Sequence, residues 1–188
     1  MQIDVSDYEN WIGNTQETED NLEISPLNRM AATLNEQRSE YSIGEKVPIL
    51  WHWLYFLEPT LQSRLSTDGH AKKGEFLPPI TLPRRMWAGS RFSFKKGLNA
   101  GDEVVRTSHI KDISVKHGKT GALVFVNVAH EIKSNSDLAI LEEHDIVYRD
   151  NPSAGAVPTS SKKSQMKPDF SEIFTPDPVL LFRYSALT

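Results

Sequence analysis

LPPITLPRRMWAGSRFSFKKGLNAGDEVVR, residues 77–106, is the segment on which the fold class depends. Its prolines disfavour a helix at the start. The residues after them alternate, and one face of the alternation consists of Met86, Ala88, Ser90, Phe92 and Phe94. A period of two predicts a β-strand with one buried face. Turn residues follow at 99–102, and a second β-prone run begins at Val104.

Three more strands are predicted after this one, at 103–116, 122–133 and 138–149. Glycine-containing residues 117–121 and polar residues 134–137 separate them and are typical of hairpin turns. In the middle strand one face carries Val124, Val126, Val128 and Ile132. Strands joined by hairpins pair as an antiparallel meander, so the region predicts a sheet of at least four strands.

Two helices are predicted before the sheet. Residues 6–13 carry a capping box formed by Ser6 and Glu9 and end at a glycine. A second helix is predicted to begin with Ser25 as the N-cap and Pro26 at the first position. Its apolar stripe consists of Leu27, Met30, Ala31 and Leu34, and core packing against the sheet is its expected role.

The apolar segment VPILWHWLYFL, residues 47–57, lies between prolines and favours a buried strand. Residues 58–80 are rich in turn residues and predict a long loop. Residues 151–178 are predicted to be a linker because proline, serine, glycine and lysine are frequent there. A new apolar element is predicted at 179–188, where the sequence stops.

Composition limits the function classes. The chain has 188 residues, so a single domain is expected, and its net charge of −4 argues against a nucleic-acid partner. It has no cysteine, which excludes disulfides and thiolate nucleophiles. The N-terminus does not resemble a signal peptide, and no apolar run reaches the ~18 residues of a membrane span. These features predict a soluble cytoplasmic protein without a membrane partner.

Residue patterns offer few candidates for chemistry. The six histidines show no metal-binding spacing, and those in the predicted strands and turns are expected to be structural or exposed. Asp68 and His70 flank a glycine and form the best local acid–base candidate, although Asp-Gly is also a common turn. The acidic run 142–145 alternates between strand faces, so a solvated surface is expected there. Arg84 and Arg85 form either a site for an anionic ligand or an ordinary surface pair.

A resemblance goes further than these patterns. It rests on six segments, LWHWLYFL (50–57), DGH (68–70), GEFLPPITLPRRMWAGSRFSF (74–94), GDEV (101–104), GALVFVNVAHEI (121–132) and EEHDIVYR (142–149). Together they resemble the N-terminal half of a MaoC-like double-hotdog (R)-hydratase or dehydratase. Mesaconyl-CoA hydratases and mitochondrial-type 3-hydroxyacyl-thioester dehydratases are the most similar members.

The resemblance implies an α+β hotdog fold, in which an antiparallel sheet wraps around a long helix. It divides the chain into an N-terminal hotdog domain (1–150), a linker (151–178) and the first strand of a second hotdog (179–188). The family reaction adds water to an acyl thioester or removes it, in the syn sense. A carboxylate or amide and an imidazole activate the water, and backbone N–H groups polarise the thioester carbonyl. In the family that catalytic pair follows a strand similar to FRYSALT, residues 182–188, so no catalytic residue is expected in this chain.

The implied ligand is an acyl-CoA thioester, as substrate, with no cofactor and no metal. Candidate substrate-binding residues, each of which is equally compatible with a packing, turn or surface role, are Trp51, Trp53, Phe56, Asp68, His70, Arg84, Arg85 and Trp87. Two functions remain open. The chain is either the non-catalytic half of a hydratase or dehydratase, completed by a catalytic hotdog, or a stand-alone acyl-thioester-binding homodimer without chemistry.

Overall fold

A five-stranded antiparallel sheet is the central element of the computed structural model, which describes residues 3–38, 40–118, 121–152 and 166–188. The strands are β1 (Thr15–Asn21), β2 (Arg84–Phe94), β3 (Glu103–Gly118), β4 (Gly121–Ser134) and β5 (Asp137–Arg149). The α-helices are α1 (Ile24–Thr33) and α2 (Pro178–Ser185). Short 3₁₀ turns lie at Val5–Asp7, Glu9–Trp11, Trp51–Leu54 and Gln62–Arg64.

The strand order is β1-β3-β4-β5-β2. The predicted meander of β3, β4 and β5 is confirmed, and β2 pairs with the far side of β5. Asn135 and Ser136 have φ of 49° and 72° in the turn between β4 and β5, as a tight hairpin requires. Two residues of the predicted turn at 117–121 lie outside the described residues.

Strand β1 was not predicted, because its sequence TQETEDN contains no apolar residue. It pairs with β3 at the edge of the sheet and alternates between exposed and half-buried positions. An edge strand can be entirely polar when backbone hydrogen bonds to one neighbour hold it.

Strand β2 differs from its predicted alternation. A bulge between Trp87 and Gly89 reverses the pattern, so Trp87 lies on the same face as Phe92 rather than opposite to it. Because β2 is the other edge strand, none of its residues is fully buried. Phe94, which was predicted to lie on the buried face, is exposed. The expectation of one fully buried face was therefore wrong for this strand.

The N-terminal helix prediction was also wrong. Residues 5–11 form two 3₁₀ turns, since so short a segment does not sustain an α-helix. The first turn is capped by Asp4 and Asp7 rather than by Ser6 and Glu9.

The second predicted helix is confirmed as α1, although its N-cap is Glu23 rather than Ser25. Its buried residues include Leu27, Met30 and Ala31 from the predicted stripe.

Residues 47–57 are buried in part, but they do not form the predicted strand. The chain makes a 3₁₀ turn at Trp51–Leu54, framed by Leu50 and Phe56 with φ of 71° and 62°. The left-handed backbone conformation of these two residues changes the direction of the chain, so the segment does not continue as an extended strand. The prediction failed because a short apolar run has the same composition in a strand and in a buried turn.

The C-terminal element is an α-helix, α2, and not the predicted first strand at 179–188. Asp177 caps it by accepting a hydrogen bond from the backbone of Leu180, and Pro178 occupies the first turn. A capped start with proline is a helix signal that outweighs the β-prone composition. The predicted linker lies partly outside the described residues, and the domain division stays a prediction. None of the helices within the described ranges is long and apolar enough to cross a membrane.

One face of the sheet, here called the inner face, carries the even-numbered residues of β4 and, from Ile140 onward, of β5. At one end of this face, α1 packs in a cluster with Val104, Ile132 and Ile140. At the other end, the N-terminal turns and Ile80 pack on Val124, Val126 and their neighbours. Helix α1 therefore covers only one end of the face, and the middle of the face is left for other residues.

Candidate functional site

Polar side chains occupy the middle of the inner face, between the two apolar clusters. The strand register places Ser108 on β3, His130 on β4 and Glu142 on β5 in one row across the sheet. The rows on either side contribute Arg106 and His144. Because residues two apart on a strand share a face, this placement follows from pairing alone.

Glu142 is the centre of a buried hydrogen-bond network. Its side chain is 4% exposed, and one carboxylate oxygen accepts from Nε2 of His52 and Nε1 of Trp53, both at 3.3 Å. The other oxygen accepts from Oγ of Ser90 at 3.3 Å. An ionised carboxylate only accepts, so Nε2 of His52 carries the proton. Burial alone would raise the pKa of Glu142, but the hydrogen bonds from His52 and Trp53 outweigh it and hold this pKa below its ordinary value.

Burial favours the neutral form of the two neighbouring histidines. Burial lowers the pKa of His130 to about 4, and Nδ1 of its ring lies 2.7 Å from Oγ of Ser108. Burial also lowers the pKa of His144, whose ring centroid is 6.3 Å from that of His130. The network therefore has one ionised carboxylate and two imidazoles that resist protonation.

A cavity of about 370 Å³ opens over this polar row. Its volume lies within the roughly 300–1,000 Å³ of small-molecule sites. Its apolar and aromatic walls come from Trp53, Tyr55, Phe56, Leu57, Trp87 and Ile132. Its polar groups come from His52, Arg106, His130, Glu142, His144 and Thr188. Mostly apolar walls with a few convergent polar groups are typical of a site for an apolar ligand with one or two polar atoms.

Three of the predicted substrate-binding residues line this cavity: Trp53, Phe56 and Trp87. Trp53 and Phe56 come from the turn that crosses the sheet, and Trp87 comes from the bulge in β2. Trp87 also donates from Nε1 to Ser90, which in turn donates to Glu142. The aromatic residues therefore form walls and also hold the polar network in place.

The other predicted residues lie outside the cavity. Trp51 packs on the cluster around α1, with its ring 5.9 Å from that of Tyr41. Asp68 and His70 pair at 3.5 Å in an exposed loop, where Asp68 also accepts from the backbone of His70 as in an ordinary turn. Arg84 and Arg85 are half-buried at the start of β2.

The sequence analysis missed the polar half of the cavity. The acidic run 142–145 was expected to be solvated, and this holds for Glu143 and Asp145, which pair with Arg91 on the outer face. It was wrong for Glu142 and His144, which lie inward. A usable signal existed, because the valine alternation in β4 places His130 on the buried face.

The arrangement can bind a ligand, and two of its ionisable groups, Glu142 and His130, are poorly placed to move a proton. A general acid or base needs a pKa near the working pH and a free contact with the reacting atom. Glu142 is ionised and already accepts three hydrogen bonds, and His130 has a pKa of about 4. These groups are fixed in position by the fold.

Comparison with known proteins gives the family. The hydroxyacyl-thioester dehydratase type 2 family matches residues 50–188, the larger part of the chain and all of the cavity. The antiparallel sheet with a helix packed at one end of its inner face is a hotdog fold. The chain belongs to the hydroxyacyl-thioester dehydratase type 2 family.

Two curated relatives agree with this membership. A mesaconyl-C(4)-CoA hydratase of Chloroflexus aurantiacus is 40% identical over 183 residues, which is 97% of this chain and 65% of the relative. A mitochondrial hydroxyacyl-thioester dehydratase type 2 of Schizosaccharomyces pombe is 26% identical and covers 89% of this chain and 65% of the relative. The chain thus spans about 65% of the length of each, a share that fits the expected double-hotdog protein of which it would be the N-terminal part.

Solved structures share the fold. The ChsH1–ChsH2 complex of Mycobacterium tuberculosis contains a chain with a TM-score of 0.54 and 12% identity, covering 75% of this chain and 89% of that one. HtdX of the same organism has a TM-score of 0.52 and 14% identity, covering 92% of this chain and 60% of HtdX. At these identities the likeness concerns the fold alone.

Proposed function

We propose that this chain is the non-catalytic N-terminal half of an acyl-CoA hydratase or dehydratase, and that it binds the acyl group in the cavity over Glu142. The observation that carries the proposal is the cavity itself, with aromatic walls around a polar row whose ionisable groups are fixed. Membership of a hydratase and dehydratase family supplies the acyl thioester as ligand class.

The polar row supports binding rather than chemistry. Glu142 holds His52 and Trp53 in place by hydrogen bonds, and these side chains are parts of the cavity wall. A buried, fully bonded network of this kind gives a wall with one defined shape. In this proposal the catalytic acid and base belong to a second hotdog, which meets the acyl thioester at the open side of the cavity.

The test is the affinity of the chain for S-butyl-CoA, a thioether that cannot react, measured by titration calorimetry. Leu57 and Leu61 are both exposed, at 54% and 64%, in the same loop, but only Leu57 lines the cavity. We expect Leu57→Asp to weaken binding at least tenfold, because a carboxylate in an apolar wall must be desolvated. Leu61→Asp should bind within twofold of the unchanged chain.

Equal weakening by both substitutions, or no binding by the unchanged chain, would contradict an acyl site in this cavity. Binding that is unaffected by Leu57→Asp would place the acyl group elsewhere on the molecule. Circular dichroism of both variants checks that the sheet is retained, as we expect because exposed leucines contribute little to the core.

The alternative, a stand-alone acyl-thioester-binding homodimer, uses the same cavity. It differs only in its partner, which would be a second copy of this chain instead of a catalytic hotdog. Two features support the presence of a partner in either case. Apolar side chains on α2, including Leu181 and Phe182, are exposed, and one edge of β2 pairs with no strand of the described residues.

A further inference from the structure

Ser108 and His130 form a pair in the polar row, and the direction of their hydrogen bond determines what the imidazole offers to a ligand. Ser108 on β3 and His130 on β4 are direct neighbours across the strand pair. Oγ of Ser108 lies 2.7 Å from Nδ1 of His130, and Ser108 is only 4% exposed. A hydroxyl group donates and accepts, and a neutral imidazole has one nitrogen of each kind, so this contact can run in either direction.

The surroundings of Ser108 decide the direction. Within the described residues, Oγ of Ser108 has no hydrogen-bond partner other than Nδ1 of His130. If Nδ1 carried the proton and donated it, the hydroxyl proton of Ser108 would be buried without an acceptor, which is costly. If the hydroxyl donates to Nδ1, both groups are satisfied. Because burial lowers the pKa of His130 to about 4, the ring is neutral near pH 7 and its proton then lies on Nε2.

Nε2 of His130 is free and accessible. It makes no hydrogen bond within the described residues, and the three donors to Glu142 are other side chains. Three buried side-chain atoms of the described residues lack a partner, those of Arg106, Asn127 and Tyr148, so Nε2 of His130 is not among the atoms sealed from solvent. Since His130 lines the cavity, its Nε2–H is a donor that opens onto the cavity.

We propose that His130 donates a hydrogen bond from Nε2 to an uncharged acceptor oxygen of the acyl ligand, and that Ser108 is the positioning residue that fixes this direction. This inference rests on the proposed function, because it concerns the ligand of the same cavity. An uncharged donor in a mostly apolar cavity suits a carbonyl oxygen, which accepts without donating. That oxygen belongs either to the thioester carbonyl or to a carbonyl farther along the acyl chain.

Three CoA ligands with four-carbon chains test the contact in titration calorimetry. S-butyl-CoA has no acyl oxygen, butyryl-CoA has a carbonyl next to the sulfur, and S-(3-oxobutyl)-CoA has its carbonyl two carbons farther along. None has a carbon–carbon double bond to hydrate. We expect the unchanged chain to bind one of the two carbonyl ligands about three- to tenfold more tightly than S-butyl-CoA, as one uncharged hydrogen bond allows. The preferred ligand identifies the oxygen.

Substitutions at both residues assign this preference. His130→Phe keeps an aromatic ring but removes both nitrogens, so the ratio of the carbonyl-ligand affinity to the S-butyl-CoA affinity should fall to about one. Ser108→Ala removes the donor to Nδ1 and should lower the ratio, whereas Ser108→Thr keeps a hydroxyl and should retain it. Ser114→Ala is the matched control and should keep the full ratio, because Ser114 is a half-buried serine of β3 that does not line the cavity.

Nitrogen-15 NMR of the histidine rings gives a readout that a merely structural role of Ser108 would not change. Protonated and unprotonated imidazole nitrogens have well-separated chemical shifts. At pH 7 the unchanged chain should show a protonated Nε2 and an unprotonated Nδ1 in His130, and Ser108→Ala should give a mixture of both tautomers. This measurement needs no ligand, and it does not depend on whether His130→Phe folds.

The outcomes separate the two proposals. If none of the three ligands binds, the acyl site itself is wrong. If all three bind equally to the unchanged chain, or S-butyl-CoA binds most tightly, the acyl site stands and the contact from His130 is refuted. An unchanged affinity ratio in His130→Phe or Ser108→Ala, or a proton on Nδ1 in the unchanged chain, would also refute the proposal.

Discussion

At the scale of single residues, the polar row on the inner face opposes folding in acid. The pairing of β3, β4 and β5 places the side chains of this row on the buried face of the sheet. An ionised group that loses its water there is stable only if hydrogen bonds replace that water. The carboxylate of Glu142 accepts three hydrogen bonds. Burial instead favours the uncharged imidazole of His130, which does not need such compensation. The stability of the molecule should therefore depend on pH through these residues.

His130 gives the first prediction at this scale. Burial lowers its pKa from 6.5 to about 4, so between these values the unfolded chain binds a proton that the folded chain does not. The free energy of unfolding should thus fall as the pH is lowered from 6.5 to 4, by up to about 3 kcal/mol from this residue. Urea unfolding at several pH values measures the slope.

His130→Gln should remove most of that slope, and His144, whose pKa burial also lowers, should account for part of the remainder. His117→Gln is the control, because His117 is exposed at the end of β3. Parallel pH profiles for His130→Gln and the unchanged chain would show that His130 is protonated freely in the folded state.

Sequence reasoning could have reached His130, Glu142 and His144. Each lies an even number of positions from a buried valine or isoleucine in its own strand, so period two alone assigns it to the inner face. Arg106 was harder to predict, because a bulge between Ile110 and Asp112 breaks the alternation along β3. The hydrogen bonds from His52 and Trp53 to Glu142 could not be predicted. They depend on the 3₁₀ turn at Trp51–Leu54, and the composition of that segment fits a strand equally well.

At the scale of elements, β2 has two roles. One side of it pairs with β5, and its bulge brings Trp87 to the cavity. Its other edge pairs with no strand of the described residues, and the side chains of Met86, Trp87 and Phe94 in this strand are exposed. An unpaired edge with apolar side chains is a site where a second chain can pair.

We therefore expect the chain to associate in solution, with a sedimentation mass of roughly twice its 21.3 kDa or more. Met86→Lys should shift the equilibrium toward monomer, because a charged side chain on an edge strand opposes pairing. Leu138→Lys is the matched control, since Leu138 is 37% exposed and Met86 is 38% exposed, but Leu138 lies by the turn between β4 and β5. A monomer for the unchanged chain at micromolar concentration would contradict association.

The helices and strands also show which sequence patterns were sufficient to predict an element. Strands β3 to β5 and helix α1 were predicted because each carries several periodic apolar residues in succession. The edge strand β1 and the helix α2 were missed, because one lacks apolar residues and the other has β-prone composition with only a cap and a proline to mark it.

At the scale of the whole molecule, the two apolar clusters hold the sheet from its ends and leave the middle of the inner face as a site. The hotdog fold thus provides a cavity without requiring that the same chain provide chemistry. In the proposed function this chain shapes the acyl site, and a second hotdog supplies the acid and base. General acid–base catalysis raises the rate by about 10² to 10⁴ for each positioned group. A chain that lacks these groups should therefore hydrate acyl thioesters far more slowly than a chain that has them.

The most direct test is the rate of hydration of crotonyl-CoA and mesaconyl-CoA by the purified chain, alone and with a separately expressed catalytic hotdog from the same family. We expect no turnover by the chain alone, and we expect faster hydration by the mixture than by the catalytic hotdog alone. Binding of S-butyl-CoA with no turnover in either case would favour the homodimeric binding module. Turnover by the chain alone would contradict the proposed non-catalytic role, and its loss in Glu142→Gln would place the catalytic base in this half.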